Sequence, residues 1–364
     1  MTKTDVTPTT VQGVPHLAVS PEKLTMTLSP HLGSVAVTDV REEPVGTGQM
    51  SESRRLHLTY SGSTRLPATL IAKYESANES SRQASQLTRT YEIETAFYQF
   101  LRPRVDVNAP QCFACEYHQG SDEFLLLLED FAPCYQGDQI TGCSPEEALT
   151  AVLELTRLHG PVWNATDLLE WEWLHRNTPD KRREFCGLLK MLYPGFVDRY
   201  NDQLDVGTRQ IGDAFLAHPE PYFEFVPPHH TAVHGDYRLD NILFMPRPAG
   251  LQAGVVDFQT MSVGCGLSDL SYFIGAGLLP TDRQEHEHRL IQAYVDGLKE
   301  YKITLSFDDA WNLYRRYALS GFVMAVIASM LVKQTPRGDE MFLAMAQRHA
   351  QQASDLNTLS LLKG

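Results

Sequence analysis

Short apolar runs separated by turns occupy the first third of the chain and predict a β-sheet. Apolar and polar residues alternate over Leu56–Tyr60, and the turn Ser61–Ser63 precedes the apolar run Ala68–Ala72. Alternation with period two beside a short polar turn is typical of a β-hairpin. The apolar run Phe124–Leu128 predicts another strand, which ends at Asp130.

A helical pattern lies between these strands. After a polar loop predicted over Ser76–Ser85, four apolar side chains recur at intervals of four, seven and three residues: Leu87, Tyr91, Tyr98 and Leu101. This spacing predicts one helix with an apolar stripe, and Glu94 falls in its middle. A carboxylate centred on a buried face needs a partner. The alternative is a glutamate at the edge of the stripe that reaches solvent.

Helical patterns dominate the rest of the chain, notably over Pro145–His159 and Asp180–His218. The uncharged stretch Tyr317–Val332 is shorter than the roughly 20 residues of a membrane span, so a buried core helix is expected. Strands followed by helices predict an α+β protein of two lobes with a cleft between them, over residues 1–130 and 131–364.

Composition narrows the class of protein. The 364 residues are 43% hydrophobic and 21% charged, which is typical of a globular protein. A formal charge of −14 disfavours nucleic acid as a partner. Residues 1–20 lack the apolar core of a signal peptide, so a cytoplasmic location and no membrane contact are expected. Cys112 and Cys115 form a C-x-x-C without a second close pair, so reduced cysteines are favoured over a zinc site.

The most informative segment begins at Val233 and contains Asp236 and Asn241. Two short apolar runs follow, on either side of a proline-containing turn, with Asn241 before the first and Asp257 after the second. Antiparallel pairing of these runs would make Asn241 and Asp257 neighbours. With Asp236 beside them, their oxygen atoms would form a site suited to Mg²⁺.

These residues resemble the catalytic segment of the protein-kinase-like small-molecule kinases. The pattern is His234-x-Asp236-x-x-x-x-Asn241, followed by a hairpin and Asp257-Phe258-Gln259. The superfamily includes aminoglycoside phosphotransferases, choline kinases and, most similar here, the ecdysteroid kinase-like group. Other stretches fit the same group and extend the resemblance from about Gly46 to Tyr272: Glu94–Tyr98, Leu126–Phe131, Leu158–Gly160 and Asp269–Phe273.

The resemblance implies a protein-kinase-like fold with a small, strand-rich N-lobe that binds nucleotide and a larger helical C-lobe. It implies that Asp236 accepts the proton of the acceptor hydroxyl, while Asn241 and Asp257 hold Mg²⁺ on ATP. Lys73 would contact the α- and β-phosphates and pair with Glu94.

The remaining nucleotide contacts are implied in the same way. Two further groups are expected at the nucleotide, a turn over the phosphates formed by Gly46, Gly48 and Ser51, and an adenine-binding hinge formed mostly by backbone groups of Glu129, Asp130 and Phe131. Arg238 would neutralise the γ-phosphate, or else be a surface arginine. Asp269 is expected to accept hydrogen bonds from the catalytic loop, and His159 to pack in the core.

Two departures from the protein-kinase pattern bear on the substrate. Ser51 stands where protein kinases carry a third glycine, and Gly235 replaces the arginine of their His-Arg-Asp motif. No Ala-Pro-Glu segment follows Asp257. Protein substrates are therefore not expected, and a small molecule with a hydroxyl group is.

Together these features predict an ATP- and Mg²⁺-dependent kinase that phosphorylates a small-molecule hydroxyl. A catalytically silent nucleotide-binding module is the alternative. Aromatic residues of the second lobe favour a lipophilic, steroid-like alcohol as acceptor, unless they simply build the core: Trp163, Trp171, Trp173, Tyr222, Phe223 and Phe225. Aminoglycosides, choline and hydroxyacyl-CoA thioesters are the other acceptors considered, although relatives acting on the last usually carry Asp-Trp-Glu.

Overall fold

A computed structural model describes residues 19–46, 50–118, 123–174 and 178–362, apart from the side chain of Ser80. The chain forms two compact units. The first contains residues up to Asn78 together with Gln111–Asp130, and the second contains Glu79–Pro110 and everything from Phe131 onwards. A unit boundary thus follows Asp130, where the sequence places the lobe boundary, but Glu79–Pro110 packs with the second unit.

The first unit is an antiparallel sheet with the spatial order β1-β2-β3-β5-β4. Its strands are Val37–Pro44, Ser51–Tyr60, Thr69–Glu75, Cys112–His118 and Glu123–Glu129. The predicted hairpin is confirmed as β2 and β3, in which Leu56 lies opposite Leu70. Two short helices, α1 (Pro21–Thr27) and α2 (Ser29–Leu32), precede the sheet. Leu24 of α1 joins Leu56 and Leu70 in the buried core of this unit.

The second unit is mostly helical, which confirms the predicted α+β class. Its helices α3 to α13 are Glu79–Thr88, Thr90–Ala96, Pro145–His159, Pro179–Tyr200, Val206–Ala217, Glu220–Phe223, Gly266–Gly277, Pro280–Lys299, Phe307–Arg316, Ser320–Leu331 and Pro336–Asp355. Its strands β6 to β10 are Tyr135–Gln136, Thr231–Val233, Ile242–Arg247, Gly250–Val255 and Ser262–Gly264. They form a sheet of order β6-β8-β9 and a separate pair of β7 with β10.

Two of the predicted helices are present, and a local capping signal explains where the first begins. A capping box between Ser144 and Glu147 starts α5, and Pro145 occupies its first turn, where a missing N–H costs nothing. The predicted buried helix near the C-terminus is confirmed as α12, most of whose side chains are buried. None of the helices in the described residues is both long and apolar enough to span a membrane.

The helix predicted around Glu94 differs from the structure in two respects. The stretch expected as a polar loop already forms α3, and Arg89 then interrupts the helix with a left-handed φ of 57°. Leu87 is consequently 87% exposed, so the buried stripe begins at Tyr91. A polar, solvated helix has no apolar stripe, so hydrophobic periodicity cannot reveal α3.

Candidate active site

The catalytic segment runs from β7 through a short 3₁₀ turn, Leu239–Asn241, directly into β8. Strands β8 and β9 pair antiparallel with Ile242 opposite Val255, as the sequence predicts. One step beyond that pair, the backbone N–H of Val256 donates to the carbonyl oxygen of Asn241 at 3.0 Å. The strand pairing therefore places Asn241 beside the residue that precedes Asp257.

The Asp236 carboxylate receives hydrogen bonds from three side chains. The Tyr272 hydroxyl donates to Oδ1 at 2.7 Å. Arg238 Nε and Asn241 Nδ2 donate to Oδ2 at 3.0 and 3.2 Å. Burial alone would raise the pKa of Asp236. The charge of Arg238 and the hydrogen bond from Tyr272 have the opposite and larger effect, so the pKa lies below its ordinary value. The carboxylate is therefore ionised near neutral pH, as a proton acceptor must be.

Asp269 of α9 holds the backbone of the same segment. Its two carboxylate oxygens accept from the backbone N–H groups of His234 at 2.6 Å and Gly235 at 3.0 Å. This confirms the expected structural role of Asp269. Gly235 has a φ of +80°, and a Cβ atom there would lie 2.6 Å from the Thr260 carbonyl oxygen. No side chain fits at this turn, which accounts for the glycine in place of an arginine.

The imidazoles around the segment are structural. His234 is fully buried, and its Nε2 donates to the Val256 carbonyl oxygen at 3.1 Å, since a carbonyl can only accept. Its Nδ1 then accepts from the backbone N–H of Asp236 at 3.3 Å. His159 is likewise buried, within hydrogen-bond distance of Tyr294 and Asp269, as expected for a core residue. His234 thus bonds the backbone of the catalytic segment directly, and His159 contacts Asp269, which holds the same backbone.

Oxygen atoms suited to a hard cation lie at the ends of β8 and β9. The Asn241 amide nitrogen is used for Asp236, so its Oδ1 is the atom that can bind a cation. Asp257 adopts a left-handed φ of 69°, and Gln259 Nε2 donates to its Oδ2 at 3.1 Å. Gln259 Oε1 is buried and lacks a hydrogen-bond partner among the described residues. An oxygen-only donor set with an unsatisfied buried oxygen beside it fits Mg²⁺.

The Arg238 guanidinium is engaged within the catalytic segment. It donates to Asp236 and, through Nη1 at 2.8 Å, to Asp240 Oδ2. Arg337 of α13 binds both oxygens of Asp240, each at 3.0 Å. The expectation of a plain surface arginine is therefore wrong, and any role at the γ-phosphate would compete with two carboxylates. A bidentate arginine pair of this kind adds geometric definition as well as attraction.

Phe258 anchors the segment that carries Asp257. It is fully buried and stacks on Phe97, with the ring centroids 3.6 Å apart and the planes 8° from parallel. Phe97 begins the π-helical turn Phe97–Leu101, which follows α4 directly. This contact helps to explain why Glu79–Pro110 packs with the second unit. Glu94, in α4, is 2% exposed, so the prediction of a buried carboxylate is confirmed.

The nucleotide-contacting candidates of the first unit lie on its sheet. Lys73 is buried in β3, opposite Ser53 of β2 and Leu126 of β5. Gly46 follows β1 with a φ of +73°, and Ser51 begins β2. Gly48 lies outside the described residues. The segment expected to form the glycine-bearing turn therefore lies between β1 and β2 in the chain.

The three expected hinge residues are held in different ways. The buried Asp130 carboxylate accepts from Arg55 Nε at 2.7 Å, so this side chain is already paired within the protein. Glu129 Oε2 accepts from the backbone N–H of Gln111 at 3.1 Å. The Phe131 ring packs on Gly254 of β9, where a Cβ atom would collide with it. All three side chains are occupied by protein contacts, and the Glu129 backbone N–H donates to the Gln111 carbonyl oxygen at 2.8 Å.

The aromatic side chains considered for the acceptor contact other protein rings. Trp163 stacks on His229 with centroids 4.3 Å apart, and Trp171 stacks on Trp173 at 5.4 Å. The remaining members, Tyr222, Phe223 and Phe225, form a chain of ring contacts that includes Tyr317. All six side chains are nevertheless partly exposed, so they contact one another without forming part of the buried core.

Two groups at the site are absent from the sequence-based set. Tyr272 could have been found, because it lies three residues after Asp269 and residues at this spacing share a helix face. No sequence pattern links Arg337 to the site, since it lies 97 residues from the Asp240 carboxylate that it binds.

Known proteins share both the fold and part of the sequence. The choline kinase of Cryptosporidium parvum aligns with a TM-score of 0.53 at 8% identity, covering 88% of this chain and 91% of that one. Spectinomycin phosphotransferase, solved with ADP and spectinomycin, gives 0.51 at 11%, covering 93% and 99%. The ethanolamine kinase of Plasmodium vivax gives 0.50 at 10%, covering 88% and 83%. These likenesses establish the fold.

Sequence comparison adds to the shared fold. Residues 188–307 match the model of the Ecdysteroid kinase-like family. The shared fold and the partial family match together support the superfamily of protein-kinase-like small-molecule kinases. Within that class, the family-model match covers less than half of the chain. A stretch of 118 residues is also 30% identical to mouse acyl-CoA dehydrogenase family member 10, covering 30% of this chain and 11% of that much longer protein.

Proposed function

We propose that the protein transfers the γ-phosphoryl group of ATP to a hydroxyl group of a small molecule in a Mg²⁺-dependent reaction. The observation that carries this proposal is the ionised Asp236 carboxylate, held by three side chains beside the oxygen ligands Asn241 and Asp257. The similarity in fold and partial sequence to small-molecule phosphotransferases supports it. A cytoplasmic location is part of the same proposal.

Asp236 orients the acceptor hydroxyl and takes its proton as the oxygen attacks phosphorus. Phosphoryl transfer has a loose transition state, so most of the catalysis comes from positioning and charge neutralisation. Three donors define the orientation of the carboxylate, and Asp269 defines the backbone beneath it. Preorganisation of this kind lowers the barrier without any movement during the reaction.

Asn241 and Asp257 hold Mg²⁺ through Asn241 Oδ1 and the Asp257 carboxylate. Mg²⁺ neutralises charge on the nucleotide phosphates when it is bound. The Gln259 amide orients the Asp257 carboxylate through its hydrogen bond to Oδ2. Phe258, clamped by Phe97, holds the backbone between the two polar residues.

Residues 1–130 carry most of the proposed nucleotide contacts, and residues 131–364 carry the catalytic and acceptor contacts. Lys73 binds the α- and β-phosphates and pairs with Glu94, although the two residues belong to different compact units and their pairing stays a prediction. Backbone groups of Glu129–Phe131 bind adenine, and the turn containing Gly46, Gly48 and Ser51 covers the phosphates. The ADP bound in spectinomycin phosphotransferase supports the use of an ATP-type nucleotide.

A lipophilic, steroid-like alcohol is the proposed acceptor, and it is supported by the match to the Ecdysteroid kinase-like family model. A hydroxyacyl-CoA thioester is the second candidate. The observation that favours this candidate is the local similarity to a protein whose name refers to acyl-CoA chemistry. The Asp-Phe-Gln sequence at Asp257, in place of Asp-Trp-Glu, favours the first candidate.

The test is a screen with ATP and Mg²⁺ against sterol-like alcohols, hydroxyacyl-CoA thioesters, kanamycin and choline, read by the mass gain of one phosphoryl group. We expect transfer to an alcohol, with the highest kcat/KM for a lipophilic one. Far higher efficiency with kanamycin or choline would refute the acceptor class alone. Binding of MgATP without transfer to any compound would contradict the kinase assignment and favour the catalytically silent nucleotide-binding module.

A further inference from the structure

The Asp236 carboxylate has four lone-pair positions, and the chain fills three of them unevenly. Arg238 Nε and Asn241 Nδ2 both donate to Oδ2, at 3.0 and 3.2 Å. Among the residues that the structure describes, Oδ1 receives a hydrogen bond from the Tyr272 hydroxyl alone, at 2.7 Å. The carboxylate oxygen that can still accept a hydrogen bond from a ligand is therefore Oδ1. The Asp236 side chain is 16% exposed, so a ligand can reach it.

The surroundings of Tyr272 hold its hydroxyl group on Oδ1. It is 4% exposed in α9, one turn after Asp269, which holds the backbone of the catalytic segment. Its ring lies against the ring of His349 in α13, with centroids 5.7 Å apart. His349 is itself within hydrogen-bond distance of the Ala318 carbonyl oxygen at 2.9 Å. The Tyr272 ring thus packs against His349, while its hydroxyl group donates to one oxygen of the Asp236 carboxylate.

We propose that Tyr272 is a positioning residue that directs the acceptor hydroxyl to Oδ1 of Asp236, which makes this part of α9 a wall of the acceptor site. The inference rests on the proposed function. The neutral phenol donates a hydrogen bond to Oδ1 and leaves one lone pair on that oxygen for the acceptor hydroxyl. Without Tyr272, Oδ1 has no fixed donor and the carboxylate can rotate towards Arg238, which misaligns the attacking oxygen.

The test compares two tyrosines that make the same bond in different places. Tyr272→Phe removes the donor to Asp236 and keeps the ring. Tyr200→Phe is the matched control, because the buried Tyr200 hydroxyl also donates to an aspartate, Asp339, at 2.7 Å. Each variant is assayed for transfer from MgATP to the best alcohol of the screen, or to water where no alcohol reacts, and its thermal midpoint is measured in parallel. Tyr272→Leu, which also lacks the donor, is the second variant if Tyr272→Phe does not fold.

We expect Tyr272→Phe to lower kcat roughly tenfold, the effect of one hydrogen bond to a charged group, with the KM for ATP unchanged. Tyr200→Phe should leave both constants within about twofold of the unmodified protein, whatever its midpoint. If Tyr272→Phe matches the control in kcat, or raises only the KM for ATP, Tyr272 does not position Asp236. A chain that binds no MgADP in calorimetry, or transfers no phosphate at all, contradicts the proposed function instead, and the inference falls with it.

Discussion

At the scale of single residues, the site depends on donors that converge on carboxylates. Asp236 is bound by Arg238, Asn241 and Tyr272. An ionised carboxylate with little exposure to solvent is costly unless such partners satisfy it, so each contact contributes both to stability and to orientation. Asp236, Asn241 and Asp257 could be predicted from their spacing around a hairpin. Tyr272 was contained in a recognised motif, but its role needed the helix geometry.

Asp257 gives a prediction at this scale. Asp257→Ala should weaken ADP binding in the presence of Mg²⁺ by at least tenfold, because the change removes an anionic metal ligand. Binding without Mg²⁺ should change by less than about twofold, since the ligand then has no cation to hold. Isothermal titration with and without EDTA measures both values. Equal losses under the two conditions would show that Asp257 does not bind the metal.

At the scale of elements, local sequence explains some segments and not others. The β2–β3 hairpin and α5 carry alternation and capping signals that need no tertiary partner. The sequence did not reveal β1, whose buried and exposed residues do not alternate, or β4, whose residues are nearly all half-buried. It also missed α3, a solvated helix without an apolar stripe. In these three cases the pattern used to recognise an element is weak or absent.

The turn after β7 gives a prediction for an element. Gly235→Ala should destabilise the protein by about 3 kcal/mol, because it combines a left-handed φ with a collision against the Thr260 carbonyl oxygen. Gly33→Ala is the control, since Gly33 also has a positive φ but has open space around it. It should cost about 2 kcal/mol, from backbone strain alone, because its φ of 62° and ψ of −117° lie outside the regions that alanine adopts readily. Urea unfolding compares the two, and equal costs would mean that the turn accommodates the Cβ atom.

At the scale of the whole molecule, the division into a strand-rich and a helical part followed from the order of apolar patterns. The placement of Glu79–Pro110 did not, because it depends on tertiary contacts such as the stacking of Phe97 on Phe258. Arg337 binds Asp240 from the start of α13, far along the sequence. Such distant pairs leave no periodic trace in a single chain, so only the structure reveals them.

Acid stability gives a prediction for the whole molecule. Burial, with smaller contributions from Arg283 and Arg348, lowers the pKa of His349 to about 4. The unfolded chain binds a proton near pH 6.5 whereas the folded one does not, so stability is lost as the pH falls from 6.5 towards 4. At pH 5 this residue alone should account for about 2 kcal/mol of the lost unfolding free energy.

His349→Asn isolates this contribution, because it keeps a donor near the Ala318 carbonyl oxygen and removes the titrating group. The unfolding free energy of the variant should fall less steeply between pH 6.5 and 5 than that of the unmodified protein. Urea titrations at several pH values provide the comparison. Parallel curves would show that His349 is protonated in the folded state as readily as in the unfolded one.

The central claim is that Asp236 acts on the acceptor hydroxyl and not on the nucleotide. The measurement that tests it most directly is phosphoryl transfer from labelled ATP by the unmodified protein and by Asp236→Asn, each saturated with MgATP as judged by calorimetry. We predict that Asp236→Asn lowers kcat by at least about a thousandfold while its affinity for MgATP changes by less than about threefold. Near-normal transfer by Asp236→Asn at full nucleotide occupancy would contradict the account.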